Sequence, residues 1–207
     1  MSSETTKALP KLLKARQYHS RIFAVVVVAA LLVAEPMMGW GHMRNFFMLV
    51  GYAMIIFGAF GRAYCTVFIG GRKNDVVVRS GPFSVVRNPL YVFSFIAMVG
   101  VGLQSGMITL TALLVVAFMF YYPMVVAKEE GFLSHKFGEP YEAYKREVPR
   151  WIPNLKLWNE PEHTETQPKF VRRTMGDAAI FFLALPCFIL ISILQGSGIL
   201  PVWFVIP

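Results

Sequence analysis

The sequence predicts an all-α fold: a multi-pass transmembrane helical bundle of about five membrane segments, with a helical tail on the cytosolic side folding over its mouth. Three observations carry this expectation. Hydrophobic residues make up 56% of the 207 positions and charged residues only 15%, against roughly 25% charged in an average soluble domain. The apolar residues are gathered into five runs, at 22–34, 46–61, 90–103, 107–127 and 178–194. The cations collect on one side of those runs, as the net charge of +8 reflects.

At a rise of about 1.5 Å per residue against a hydrocarbon core of roughly 30 Å, the run at 107–127 spans comfortably. The others draw on their flanks: 64–69 lengthens the second run and 83–89 leads into the third. The first, bounded by Arg21 and Glu35, is the weakest. Short loops rich in Lys and Arg stay in the cytoplasm. Lys7, Lys11, Lys14, Arg16 and Arg21 precede the first run, and Arg62, Arg72, Lys73, Arg79 and Arg87 lie around the loop between the second and third, whereas the opposite side shows Arg44 alone. The Gln104-Ser105-Gly106 turn is uncharged, as a tight external hairpin would be. The N-terminus and residues 128–177 are therefore expected in the cytoplasm. A basic start followed by thirteen apolar residues also has the form of a secretory signal, but Leu32 stands where cleavage needs a small residue, so a retained first span is expected.

Several function classes are disfavoured. A nucleic-acid binder would need a basic stripe with interleaved aromatics, which is absent. Cys65 and Cys187 have no paired spacing, and His19, His42, His135 and His163 lack metal-ligand spacing, so neither a disulfide framework nor a metal site is expected. No internal repeat stands out, and residues 1–207 read as one domain. Its acidic, Pro-containing linker at 159–170 (NEPEHTETQPKF) is expected to be extended and solvated. An extra C-terminal hydrophobic segment, 178–207, follows Arg172, Arg173 and Asp177. Gly196-Ser197-Gly198 interrupts it, and 199–207 is too short to cross again, so it is expected in the far interface or as the extension of a tilted helix.

Two polar stretches stand out. The first, RSGPFSVVRNPLY at 79–91, holds a Gly-Pro turn and then Asn88-Pro89. Proline disfavours helical geometry at Asn88 and opens a helix as its first residue, placing a helix start at the membrane surface beside Arg87, Asn88 and Tyr91. Its free amides suit a carboxylate or phosphate; Arg87 as an interface anchor and Asn88 as a plain cap suit the same residues. The second stretch, KEEGFLSHKFGEPYEAYKREVPRWIP at 128–153, puts Glu129 and Glu130 just beyond the fourth run, where ionised groups are costly unless they bind something. There they would also oppose the dipole of a helix ending nearby. Phe137-Gly138 is expected to close a short helix, after which Tyr141, Tyr144 and Val148 recur at helical spacing. These tyrosines could stack on a base or sit as interface aromatics.

In combination the motifs resemble the isoprenylcysteine carboxyl methyltransferase and phospholipid methyltransferase superfamily, closest to its broad prokaryotic branch. The match covers 79–153, a bit over a third of the chain. The resemblance implies a small membrane enzyme that binds S-adenosylmethionine in a cytosol-facing pocket beneath the folded tail and methylates a lipid-like or amphipathic acceptor, a carboxylate or an amine, drawn from the lipid bilayer. On it, Arg87, Asn88 and Pro89 would receive the methionine part or ribose, and Tyr91, Tyr141 and Tyr144 would border the nucleoside. Glu129 and Glu130 would bind amino or hydroxyl groups, and Glu130 and Arg150 would be the catalytic pair, with Arg150 near the acceptor. The sequence departs from the family pattern at Asn88, usually His, and at Phe93, usually Gly, where the larger ring would narrow a lipid-side groove. Two other classes remain open: an NADPH-dependent sterol-type membrane reductase, which resembles this superfamily in its C-terminal part, and a non-catalytic membrane protein with a degenerate motif.

Overall fold

The computed structural model describes residues 32–37, 41–72 and 75–207. The basic N-terminus and most of the first apolar run lie outside the described residues, and so does the expectation that this run is a retained span. The chain is helical, as expected, apart from irregular connections and two three-residue strands, β1 (Ala34–Pro36) and β2 (Phe204–Ile206).

The bundle is built on three helices. The first, α1 (His42–Ile69), has 28 residues and so runs about 42 Å. A single turn, α2 (Pro82–Val85), leads into α3 (Pro89–Ser105), which Pro89 opens. The hairpin after α3 closes through its own polar groups: the Ser105 hydroxyl donates to the Gly102 carbonyl at 2.6 Å and accepts from the Met107 amide at 3.1 Å. Next, α4 (Ile108–Phe137) runs 30 residues. Both α1 and α4 are long and apolar enough to cross a membrane, whereas α3 is shorter. They carry bare apolar surface outward, Phe60 being 68% exposed and Phe120 74%, as lipid-facing helices do.

In α1 and α3 the backbones approach unusually closely. A methyl group on Gly51 would stand 2.6 Å from the Gly100 carbonyl, and one on Gly58 equally close to that of Phe93. The Phe93 ring lies over Gly61 and meets Phe57 edge-on at 5.5 Å. It fills the seam between α1 and α3 and does not line the site cavity. Gly61 leaves room for the ring away from the cavity.

The sequence led us to expect the fourth span to end near Ala127, with a separate helix closing at Phe137. Instead α4 passes through Glu129 and Glu130 without interruption, although it contains Pro123. Lys128, Glu129, Glu130, Leu133 and Lys136 are good helix formers, and the one glycine among residues 128–137 costs only about 1 kcal/mol. Both acids thus sit two turns inside the helix, away from its C-terminal dipole. At Gly138 the chain turns with φ 61° and ψ −135°, a region open essentially to glycine alone. It enters α5 (Glu139–Glu147), which carries Glu139 and Glu142 in its first turn and Lys145 and Arg146 in its last, the order that suits a helix dipole.

The C-terminal run is likewise not one helix. It divides into α6 (Pro168–Phe182) and α7 (Ala184–Gly196), of which α6 packs along α1 and joins Thr174 to Thr66 by a 3.0 Å hydroxyl contact. The linker at 159–170 is exposed, as expected, but its ends are tied. The Gly81 amide donates to the Asn159 carbonyl at 2.8 Å, Tyr64 donates to Glu160 at 2.6 Å, and α6 already begins at Pro168. Residues 199–207 do not extend a helix. They return as β2, pairing in parallel with β1 with Glu35 opposite Val205. The run Val-Trp-Phe-Val-Ile favours strand.

Candidate functional site

A cavity of about 310 Å³ lies between α1, α3, α4 and α5, with the segment 76–78 as one wall. That is the low end of the roughly 300–1,000 Å³ range of small-molecule sites. The two polar stretches meet here. Arg87 Nε stands 3.4 Å from Glu130 Oε1, a charge contact without hydrogen-bond alignment.

Glu130 is the hub of this meeting. Its Oε1 also accepts from Asn88 Nδ2 at 3.2 Å, and its Oε2 accepts from Arg150 Nε at 3.1 Å and Nη2 at 2.6 Å. A carboxylate offers about four lone-pair directions; here three accept hydrogen bonds, with the Arg87 charge beside them, while the residue is 3% exposed. Asn88 is diverted by the same contacts. Its amide donates to Glu130 and to the Arg150 carbonyl at 3.3 Å, so it makes no side-chain cap on α3. Arg87 clamps the tail: Nη1 donates to the Lys145 carbonyl at 3.1 Å and its backbone amide to the Pro149 carbonyl at 2.9 Å.

Glu129, one residue earlier on α4, faces the cavity half-buried and accepts from the Tyr91 hydroxyl at 2.9 Å. Tyr141 and Tyr144 border the cavity from α5 but are 4% and 3% exposed, packed with Val148 against Val77, Leu133 and Phe137. The Tyr144 hydroxyl donates to the Phe83 carbonyl at 2.7 Å, and the Arg79 guanidinium lies 5.6 Å from its ring centre. Burial pushes both hydroxyls to higher pKa; at Tyr141 the negative charge of Glu130 adds to this, and at Tyr144 the neighbouring Tyr141 does. Both remain neutral at physiological pH.

Of the residues singled out in the sequence, Arg87, Asn88, Pro89, Tyr91, Glu129, Glu130, Tyr141 and Tyr144 all line the cavity. Arg150 does not. It stands behind Glu130 with its side chain 41% exposed. The sequence reading missed Arg62, Ser94 and Tyr122. Tyr122 precedes Glu129 by seven residues and Ser94 follows Tyr91 by three, spacings that share a helix face. In the sequence Arg62 counts only among the cations between the second and third runs. Among the described residues no group of three or more His, Cys, Asp or Glu could hold a metal ion.

The phospholipid methyltransferase family matches residues 35–140, which includes α1, α3, α4 and most of the cavity. The chain belongs to this family. It is 30% identical over 165 residues to the cobalt-zinc-cadmium resistance protein CzcN of Cupriavidus metallidurans, covering 80% of this chain and 76% of that protein. It is 29% identical over 188 residues to the nickel-cobalt-cadmium resistance protein NccN of Alcaligenes xylosoxydans xylosoxydans, covering 90% and 87%. The protein-S-isoprenylcysteine O-methyltransferase of Schizosaccharomyces pombe shares 30% identity over 94 residues, 45% of this chain and 40% of the yeast protein. No solved structure matches. Family and relatives together support a membrane methyltransferase.

Proposed function

We propose that the protein transfers a methyl group from S-adenosylmethionine to a lipid-like or amphipathic acceptor at the cytosolic face of the membrane. The observation that carries this reading is the single cavity into which the start of α3 and the inner half of α4 both turn polar groups. The residues fit the cofactor's chemistry. Pro89 has no N–H and the Tyr91 amide donates to the Asn88 carbonyl at 3.1 Å, so at the start of α3 the Leu90 amide, with the Arg87 guanidinium beside it, would receive its carboxylate. Glu129 would hold its amino group or ribose hydroxyls, and Tyr91 and Tyr141 would border the nucleoside. When bound, S-adenosylmethionine supplies an electrophilic sulfonium methyl, so the protein's task is positioning and exclusion of water.

Glu130, hydrogen-bonded by Asn88 and Arg150 and beside the Arg87 charge, would act by holding the tail against the bundle, with Arg150 serving as its counter-charge. Glu129 is then the acid placed to accept a proton if the acceptor is an amine; a carboxylate acceptor needs no base. The Schizosaccharomyces pombe relative is by name an O-methyltransferase, which favours an oxygen acceptor such as a carboxylate over an amine.

Titration of labelled S-adenosylmethionine against the purified protein tests the site. Glu129→Gln and Tyr91→Phe are expected to weaken binding, the first by about tenfold or more, as loss of a charge-assisted contact does. Undiminished affinity in both would remove the assignment. Incubation with the labelled donor and a total lipid extract, followed by mass analysis for a gain of one methyl, tests the reaction.

A further inference from the structure

The cations that open α6 take no part in the cavity. Lys169, Arg172 and Arg173 lie in the first two turns of that helix and are all exposed. Among the described residues, no hydrogen bond or ion pair joins their side chains to another group. The helix turns its other side to α1: Ala178 is buried, Thr174 meets the Thr66 hydroxyl, and the Phe170 side chain lies against Gly70. At about 100° per residue, the three cations, Gly176 and Ala179 fall on the face pointing away from α1. Gly176 and Ala179 are exposed, and a methyl group on Gly176 would meet no atom within 4 Å. Thr66 stands three residues short of the end of α1, the same end at which Ile69 lines the cavity. Because α1, at about 42 Å, outruns a hydrocarbon core of roughly 30 Å, a centred α1 puts this basic turn of α6 at the headgroup level.

From this face we propose that α6 binds a phospholipid of net negative charge, its phosphate held by Lys169, Arg172 and Arg173 and one acyl chain lying over Gly176 and Ala179. The inference is independent of the methyl-transfer reading. Cations in the first turns of a helix oppose its dipole, so local helix stability does not account for these three. Membrane orientation asks for cations on one side of the bilayer, not for three on one helix face above an open glycine. A phosphate among them answers both points: each guanidinium fork matches its oxygens bidentately, and the helix start adds a partial positive charge. A zwitterionic headgroup carries its own cation, which these side chains repel. The nearest acids in sequence, Glu165 before the helix and Asp177 at the edge of the face, make no ion pair with the three. Anionic lipid is therefore the counter-charge that fits, each basic residue near such a surface contributing about fivefold in binding.

The test is lipid binding to the full chain purified in dodecyl maltoside, read by native mass spectrometry as dioleoylphosphatidylglycerol or dioleoylphosphatidylcholine is added. The first phosphatidylglycerol is expected to bind about tenfold or more tighter than phosphatidylcholine. The double variant Arg172→Gln, Arg173→Gln should lose about tenfold or more of that affinity, whereas Lys128→Gln with Lys156→Gln, which removes equal charge elsewhere, should leave it nearly unchanged. Gly176→Trp keeps all three cations but fills the seat of the chain, and should weaken binding as well. No preference for the anionic lipid overturns the proposal. So does an equal loss in the two double variants, which would mean diffuse surface charge, or phosphatidylglycerol binding that Gly176→Trp leaves intact. Glycerol 3-phosphate binding as tightly as the lipid would assign the cations to a soluble phosphate and also overturn it. If the Arg172→Gln, Arg173→Gln variant does not fold, Gly176→Trp decides: weakened binding supports the site and unchanged binding overturns it.

Discussion

Glu129 and Glu130 are adjacent in sequence and of one chemistry, yet the fold gives them different work. Successive positions on a helix point about 100° apart, so Glu130 turns into the seam with the tail while Glu129 turns to the cavity. Removing the charge at Glu130 leaves the Arg87 and Arg150 guanidiniums without their common partner, and loss of one member of a buried ion pair costs about 3–5 kcal/mol. Because Arg150 is partly exposed, Glu130→Gln should fall at or below the lower end of that range. Thermal unfolding of the purified protein is expected to show a clear drop for Glu130→Gln and little change for Glu129→Gln, with cofactor affinity following the opposite order at Glu129. Equal destabilisation by the two variants would contradict the division of roles.

Among the elements, α5 depends most on a few contacts. It is nine residues long, too short to be stable alone, and is held by Tyr141 and Tyr144 and by the turn at Gly138. A side chain at Gly138 would meet no neighbour within 4 Å, so Gly138→Ala should cost only the backbone strain of its φ and ψ, about 1–3 kcal/mol. Proteolysis around 138–148 should report the loosened element before global unfolding does. The raised pKa of the two tyrosines gives α5 a pH dependence of definite sign. Unfolded tyrosine ionises near pH 10 and the folded pair above it, so their contribution is intact below about pH 10 and is lost as pH rises toward the folded values. Melting curves should hold flat from neutrality to about pH 9.5 and then fall, and Tyr144→Phe should shrink the alkaline part of that fall.

Across the whole molecule, ligand linkage distinguishes one cofactor class from another. A ligand at a hundred times its dissociation constant stabilises the native state that binds it by about 2.7 kcal/mol. S-adenosylmethionine is expected to raise the unfolding midpoint and NADPH to leave it unchanged. Stabilisation by NADPH alone would move the protein to the reductase class. The arrangement of α1, α3 and α4 around one cavity also predicts that Arg87→Ala weakens cofactor binding and frees the tail together, since that side chain lines the site and clamps the Lys145 carbonyl.

Composition and the lengths of the apolar runs determined the helical membrane class, because burying or immersing backbone in lipid leaves a helix as the self-satisfied choice for such runs. Local rules also placed the start of α3 at Asn88-Pro89, since proline acts on its immediate neighbours. The motifs marked eight of the cavity-lining residues, but not their division of labour. That Glu130 is buried against the tail while Glu129 faces the cavity, that Arg150 stands behind Glu130, and that Phe93 packs over Gly61 depend on contacts with other elements. The return of 204–206 to pair with β1 and the entry of Arg62 and Ser94 into the cavity are likewise long-range. No local propensity encodes such contacts; they exist only once the helices have packed.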